Sequence, residues 1–245
     1  MVVSCHLSLV TCHFSMNVAI IAAAGQGTRM GGNRAKQFLE LAGTPIIIHT
    51  LRCFELCEAI QEIILVLPAQ DVGGFLALAE QYRLRKLSRI VPGGSTRAES
   101  VLKGLLTVRA ATAEIIALHD GVRPFVTSGE ISRTVKAAQA NDAAILTAEV
   151  TDTIKEIANG FVERTLPRAG LRRALTPQCF RFELLRRAYE QVDVLDPDLT
   201  DESSLVERLG VKVTTVEGSS RNIKITGPED LALGEVFLKD LKLES

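Results

Sequence analysis

Short, continuous apolar runs recur along this chain, and each ends at a loop rich in glycine or in charged residues. The clearest runs are residues 18–24 and 63–67. Unbroken runs of this length are typical of strands that are buried on both faces. Segments with helical periodicity separate the runs, and strand–helix alternation favours a sheet covered by helices on both sides. The pattern predicts an α/β fold, a three-layer Rossmann-like sheet that is mostly parallel.

The other predicted elements follow from the same periodicities. We predict strands at residues 89–91, 114–118, 143–146, 212–216 and 222–225. We predict one helix after Pro45 and a second after Pro68 that extends to about residue 84. Further helices are predicted over residues 96–108, 128–140 and 181–192, and from Pro228 onward.

The alternation breaks at about Thr147, where two extended segments replace it. Residues 151–157 and 161–165 flank Asn159-Gly160, and Asn-Gly between such segments is a strong hairpin signal. A polar hairpin inserted in an α/β domain has no core of its own. We therefore predict a surface arm over residues 147–170 that grips a second subunit and forms a homodimer.

The first fifteen residues do not share the globular pattern. They contain two Cys-His pairs and no Lys or Arg, and the apolar run is broken, so they do not match a secretory signal. We interpret residues 1–15 as a disordered or mis-assigned leader that precedes a start at Met16. Residues 16–245 are predicted to form a single domain.

The composition excludes several classes of function. The formal net charge is −1, with 47% apolar and 23% charged residues, which favours neither nucleic acid nor an acidic membrane surface as a partner. No run approaches the ~18 apolar residues that a membrane span requires. Three of the five cysteines, Cys53, Cys57 and Cys179, show no zinc-binding spacing and are interpreted as reduced, buried thiols of a cytoplasmic protein.

Three strand ends carry unusual loops, at residues 24–36, 92–97 and 119–124, and these loops should meet in one cleft. The first loop contains Gly25 and Gly27, with Arg29 and Lys36. It is not a dinucleotide fingerprint, because Met30 stands where a third glycine is required. Glycine N–H groups and two cations instead suit the phosphates of a nucleoside triphosphate.

The second and third loops each allow two interpretations. Gly94 and Ser100 would lie against a flat base, or the loop is simply a strand-to-helix turn capped by a hydroxyl. Asp120 is well placed to hold Mg²⁺ on phosphates and Arg123 to bind a second phosphate, or these two residues pair with each other. His119 is interpreted as a packed residue rather than a base.

Six motifs together resemble one family over residues 17 to about 238. They are Ala23-Ala24-Gly25-x-Gly27-x-Arg29-Met30 with Lys36-Gln37, Gly93-Gly94-x-x-Arg97-x-x-Ser100, His119-Asp120 with Arg123-Pro124, Thr176-Pro177-Gln178, residues 200–203 (Thr-Asp-Glu-Ser) and residues 222–226 (Asn-Ile-Lys-Ile-Thr). The chain resembles the 2-C-methyl-D-erythritol 4-phosphate cytidylyltransferases of non-mevalonate isoprenoid synthesis. No single motif is specific, but the combination is.

The resemblance implies transfer of a cytidylyl group from CTP to methylerythritol phosphate, with release of pyrophosphate and a divalent metal, Mg²⁺, bound with CTP. It also implies roles for individual residues. Catalysis would rest on Arg29, Lys36, Arg168 and Lys224; CTP would be held by Ala23, Ala24, Gly25, Gly27, Gly94 and Ser100; the second substrate by Asp120, Arg123, Thr176 and Thr200; and the metal by Asp120. Arg168 would act in the partner subunit's site.

Two departures and three alternatives stay open. Ala35 stands where the family usually has proline, and Ser95 replaces a common acidic residue. A ribitol-5-phosphate cytidylyltransferase shares the glycine loops and Thr-Pro-Gln, although residues 200–204 resemble the methylerythritol enzymes more. A non-catalytic nucleotide-binding protein would be expected to have lost Arg29, Lys36 or Asp120, and all three are present. A dinucleotide dehydrogenase is disfavoured by the missing third glycine.

Overall fold

The centre of the fold is a seven-stranded sheet in the computed structural model, which describes residues 15–25, 35–196, 199 and 201–243. In spatial order its strands are β11 (Thr214–Glu217), β7 (Ala143–Glu149), β10 (Arg172–Arg181), β6 (Ala113–Asp120), β1 (Met16–Ala22), β4 (Glu62–Leu67) and β5 (Leu87–Pro92). Neighbouring strands are parallel, except that β10 is antiparallel to both β6 and β7. The predicted mostly parallel sheet is confirmed.

Helices cover both faces of the sheet. One face carries α1 (Ile46–Glu55), α2 (Val72–Gln81) and α4 (Ser128–Asn141), and the other carries α3 (Arg97–Leu105), α5 (Phe182–Tyr189) and α6 (Glu202–Arg208). A last helix, α7 (Pro228–Leu243), packs against Leu41 and Phe125. Alternate residues of β1 explain the layers, because Ala19 and Ile21 join one core while Val18 and Ile20 join the other. The three-layer prediction is therefore correct.

Backbone bonding continues past the strands and holds the loops side by side. The Ala23 amide donates to the Val66 carbonyl at 2.9 Å and the Gly121 amide to the Ala22 carbonyl at 2.9 Å. The Gly93 amide donates to the Leu67 carbonyl at 2.8 Å. The loops after β1, β5 and β6 consequently meet at the carboxyl edge, as the sequence predicts.

The predicted hairpin is present and separate from the main sheet. It consists of β8 (Lys155–Ala158) and β9 (Phe161–Thr165). Asn159 and Gly160 have φ values of 50° and 83°, the left-handed pair that a tight hairpin turn requires. Ile157, Phe161 and Val162 are more than half exposed, so the hairpin presents an apolar surface that its own chain leaves uncovered.

Four assignments differ from the sequence prediction. The strand predicted at residues 222–225 is wrong, because the Ile225 amide bonds to the Val122 carbonyl while the Asn222 carbonyl accepts from Arg123, which leaves no ladder. The strand predicted at residues 212–216 corresponds to β11, which pairs with β7. Strand β10 was not predicted, because its proline motif reads as a loop. Helix α6 and a small pair, β2 (Glu40–Leu41) with β3 (Thr44–Pro45), were also missed.

Candidate active site

The loops at the carboxyl edge enclose a cleft of about 440 Å³. Eight of the predicted site residues line it: Ala23, Ala24, Gly25, Lys36, Gly94, Ser100, Asp120 and Lys224. Gly27 and Arg29 lie outside the described residues. Most of the described residues that line this cleft were therefore predicted from the sequence.

The second glycine loop is built around the start of α3. Thr96 caps the helix, its hydroxyl accepting from the Glu99 amide at 3.0 Å. Ser100, one turn later, accepts from the Gly94 amide at 3.0 Å and donates to the Thr96 carbonyl at 2.8 Å. The capped-turn interpretation is correct, and the same loop also lines the cleft, so the two interpretations do not exclude each other.

Gln37 connects the two segments that form one side of the cleft. Its buried amide donates to the Ala23 carbonyl at 2.8 Å, which ties the turn carrying Lys36 to the loop after β1. Ala35 precedes that turn with φ −60° and ψ 135°. Proline also takes this φ, so the alanine adopts the conformation that the family's usual proline would impose.

A second pocket of about 270 Å³ opens beside the first and contains the predicted residues Arg123 and Thr176. The two cavities share Arg97, Asp120 and Lys224. Thr200, the remaining predicted residue of this pocket, lies outside the described residues. A ligand in each cavity would thus meet the other at these three charged side chains.

Asp120 is the centre of this junction. Its carboxylate accepts from Arg97 Nε at 3.1 Å, from Arg123 Nε at 3.2 Å and from Lys224 Nζ at 3.0 Å. Burial alone would raise the pKa of Asp120, but Arg97, Lys224 and Arg123 outweigh burial and hold that pKa well below its usual range. The pairing of Asp120 with Arg123 is present, and it is one of three.

His119 is buried directly behind Asp120. Thr176 Oγ1 lies 2.9 Å from its Nδ1, and the Arg123 carbonyl lies 3.1 Å from its Nε2. Burial lowers the pKa of His119 to about 4, which keeps the ring neutral near pH 7. The ring orders the loop and does not face the cleft as a base, which confirms its interpretation as a packed residue.

Arg97 and Glu202 belong to the sequence motifs, but the sequence predicted no role for either. The Arg97 Nη1 donates to both oxygens of the Glu202 carboxylate, at 2.7 and 2.6 Å. Glu202 is 1% exposed. The available signal was an acidic residue inside the polar Thr-Asp-Glu-Ser motif, but no short-range pattern pairs it with Arg97, because the two residues are 105 positions apart in the chain.

Arg168 does not join the cleft of its own chain. It lies at the base of the hairpin, exposed, with Nη1 donating to the Thr151 carbonyl at 2.6 Å. A role in catalysis would thus require the cleft of another copy, as the predicted dimer implies.

The donor set bears on the predicted Mg²⁺. Asp120 is the single carboxylate among the described residues that line the larger cleft, and no cluster of three or more metal-ligating side chains occurs in the described part of the chain. Mg²⁺ commonly uses one or two carboxylates plus substrate phosphates. The residues therefore fit a metal that arrives with a triphosphate and takes most of its ligands from it.

The described lining of the two pockets carries four cations, Lys36, Arg97, Arg123 and Lys224, against two carboxylates, Asp120 and Asp201. Glycine loops and a net positive junction at the carboxyl edge of a Rossmann-like sheet define a nucleotidyltransferase. The family model for 2-C-methyl-D-erythritol 4-phosphate cytidylyltransferase matches residues 17–240. The chain belongs to this family.

Individual relatives agree with the family model. A 2-C-methyl-D-erythritol 4-phosphate cytidylyltransferase of Geotalea uraniireducens is 41% identical and covers 92% of this chain and 98% of its own length. A bifunctional IspD/IspF enzyme of Desulfotalea psychrophila is 46% identical over 91% of this chain, which spans 57% of that enzyme.

A solved structure shows the same fold. The 4-diphosphocytidyl-2C-methyl-D-erythritol synthase of Anaerococcus prevotii superposes with a TM-score of 0.81 at 32% identity, covering 92% of this chain and 99% of its own. No helix in residues 15–25, 35–196, 199 and 201–243 has the length and apolar character to cross a membrane.

Proposed function

We propose that the two joined pockets transfer the cytidylyl group of CTP to 2-C-methyl-D-erythritol 4-phosphate. An oxygen of the acceptor's phosphate attacks the α-phosphorus of CTP and forms a new P–O bond. The bond from that phosphorus to the oxygen bridging to the β-phosphate breaks, and pyrophosphate leaves. The observation that supports this most directly is the shared junction of Arg97, Asp120 and Lys224 between two cavities of unequal size.

This reaction needs alignment and positive charge rather than a base. The attacking phosphate monoester is already anionic near neutral pH, since its second pKa is about 6. Two anions must approach each other, so fixed cations lower the barrier. In this proposal Lys36, with Arg29, stabilises the charge on the α-phosphate, while Lys224 and Arg123 orient the acceptor. The buried, neutral His119 takes no part in proton transfer.

The nucleotide would lie along the glycine loops. Ala23, Ala24 and Gly25, with Gly27, would hold the phosphates through backbone N–H groups, and Gly94 with Ser100 would lie against the base. The acceptor would occupy the smaller pocket, where Thr176 lies beside Asp120, and Thr200 would help to bind it.

Mg²⁺ is part of the proposal as a companion of CTP. It would be held by phosphate oxygens, with Asp120 as the protein carboxylate beside it, and would supply further neutralisation of the triphosphate. Asp120 already accepts from three cationic side chains. In this proposal its carboxylate orients those cations as well as binding the metal.

The proposal includes a homodimer in the cytoplasm. The exposed apolar side chains of the hairpin tip support a second copy as its partner, and Arg168 would reach that copy's acceptor pocket. Free thiols at Cys53, Cys57 and Cys179 suit a reducing compartment. Neither nucleic acid nor membrane is a partner in this scheme.

The test is pyrophosphate release from CTP and Mg²⁺, with methylerythritol phosphate and ribitol 5-phosphate in parallel reactions. We expect release with methylerythritol phosphate and little with ribitol phosphate. Release with ribitol phosphate alone would retain the reaction type and replace the acceptor. Binding of CTP with no release from either would overturn the proposal in favour of a non-catalytic nucleotide-binding protein.

A further inference from the structure

The guanidinium of Arg97 is held between two carboxylates at the junction of the pockets. Nε donates to Asp120 Oδ1 at 3.1 Å, and Nη1 donates to both oxygens of Glu202. Carboxylate pairs of this kind restrict the plane of a guanidinium as well as its position. Burial opposes the charge on Arg97, but Glu202 and Asp120 outweigh burial and raise its pKa, so Arg97 remains a cation.

Glu202 is a buried residue that holds Arg97 in place. It stands in the first turn of α6, next to Asp201, whose side chain caps that helix by accepting from the Ser204 amide at 3.1 Å. The hydroxyl of Tyr189 donates to Glu202 Oε1 at 3.0 Å. Asp201 lines the acceptor pocket, whereas Glu202 lines neither pocket and reaches the junction only through Arg97.

We infer that Glu202 is a positioning residue that fixes the orientation of the Arg97 guanidinium at the junction where the two substrates meet. Its effect on turnover rests on the proposed function; its effect on the orientation of Arg97 does not. Because Glu202 itself touches neither cavity, its removal should change the geometry of Arg97, which lines both, and leave the other lining side chains in place.

The charges of the junction predict which kinetic constant changes. Together with their ion-pair partners Arg123 and Glu202, the junction residues Arg97, Lys224 and Asp120 carry three positive and two negative charges, a net of +1. The Glu202→Gln change makes that net +2, so anionic substrates should bind at least as well. If the Arg97 guanidinium points in the wrong direction, in contrast, it stabilises the transition state less and kcat falls. A misplacement of about 1 Å can lower the rate about a hundredfold.

The kinetic test compares Glu202→Gln with Glu207→Gln, an exposed residue of the same helix. We expect kcat to fall about tenfold to a hundredfold in Glu202→Gln, with KM for both substrates unchanged or lower, and no change in Glu207→Gln. Glu202→Asp, which keeps the charge, should recover part of kcat. Equal kcat in the two glutamine variants, or a raised KM at normal kcat, would overturn the inference.

Folding is checked by thermal melting. If Glu202→Gln does not fold, the test uses Glu202→Asp, and a wild-type kcat in that variant contradicts the inference.

A second readout does not depend on activity. The Arg97 Nε–H signal in ¹⁵N–¹H spectra, identified by its loss in Arg97→Lys, should be sharp in the wild type and broadened in Glu202→Gln. An unchanged signal would overturn the inference. If the wild-type protein shows no transferase activity but the Arg97 signal still broadens in Glu202→Gln, the result would support the positioning role and count against the proposed function.

Discussion

At Gly93 a single added methyl group should have a large effect on the cleft. A Cβ atom added there would lie 2.2 Å from the Ala24 Cβ, 3.0 Å from Ser100 Oγ and 3.4 Å from Val66 Cγ1. Carbon atoms that are not bonded to each other approach to about 3.5–4.0 Å. The Gly93→Ala variant therefore places a methyl group where the loop after β1 already lies.

The magnitude follows from what can give way. The Ala24 Cβ is attached directly to the backbone and cannot rotate aside, so one of the two loops must move by more than about 1 Å. Overpacking of this kind costs about 1–3 kcal/mol of the unfolding free energy, which for a domain of this size lowers Tm by about 2–12 °C. Because Ala24 belongs to the proposed CTP site, turnover should also fall about a hundredfold.

The assay is Tm by differential scanning calorimetry together with pyrophosphate release at saturating CTP. Gly74→Ala is the matched control, because that exposed glycine of α2 has no atom within 4 Å of the added Cβ; it should gain about 0.5–1 kcal/mol from lower backbone entropy. Gly93→Ala with unchanged Tm and turnover would refute the argument that close approach of these two loops shapes the cleft.

Two further predictions concern acid stability and the dimer. Burial lowers the pKa of His119 to about 4, so between about pH 4 and the unfolded value of about 6.5 the unfolded chain binds more protons, and about 3 kcal/mol of unfolding free energy should be lost as pH falls through that range. Urea unfolding should show a shallower loss in His119→Gln, and identical slopes would contradict the assignment. Mixing Lys36→Ala with Arg168→Ala should restore about a quarter of wild-type activity if Arg168 serves the partner's site, since half the dimers are mixed and each has one intact site. No recovery would place both side chains in one subunit's site.

The close correspondence between the apolar runs and strands β1, β4 and β6 has a local cause. A strand buried on both faces needs apolar residues at every position, so its sequence is distinctive without any knowledge of its neighbours. The Asn159-Gly160 turn was predictable for the same reason, since left-handed backbone selects these residue types. The glycine loops and most of the cleft residues followed from their places at strand ends.

Predictions from the local sequence pattern were wrong where long-range contacts determine the conformation. Strand β10 contains a Thr-Pro pair and was missed, because its ladder to β6 and β7 depends on strands that are distant in the chain. Residues 222–225 alternate polar and apolar side chains as a strand does, yet Asn222 Nδ2 donates to the Thr176 carbonyl and the Asn222 carbonyl accepts from Arg123. Those polar contacts satisfy backbone groups that a ladder would otherwise use.

The amino-acid sequence was therefore sufficient for the fold class, the family and the identity of most charged residues in the cleft, because these depend on residue type and short spacing. Which charges act together was decided by tertiary packing. Asp120 collects Arg97, Arg123 and Lys224, and Glu202 reaches Arg97 across 105 residues of sequence. Electrostatic partners are set by distances of a few ångströms between elements, and those distances exist only after the sheet and its helices have assembled.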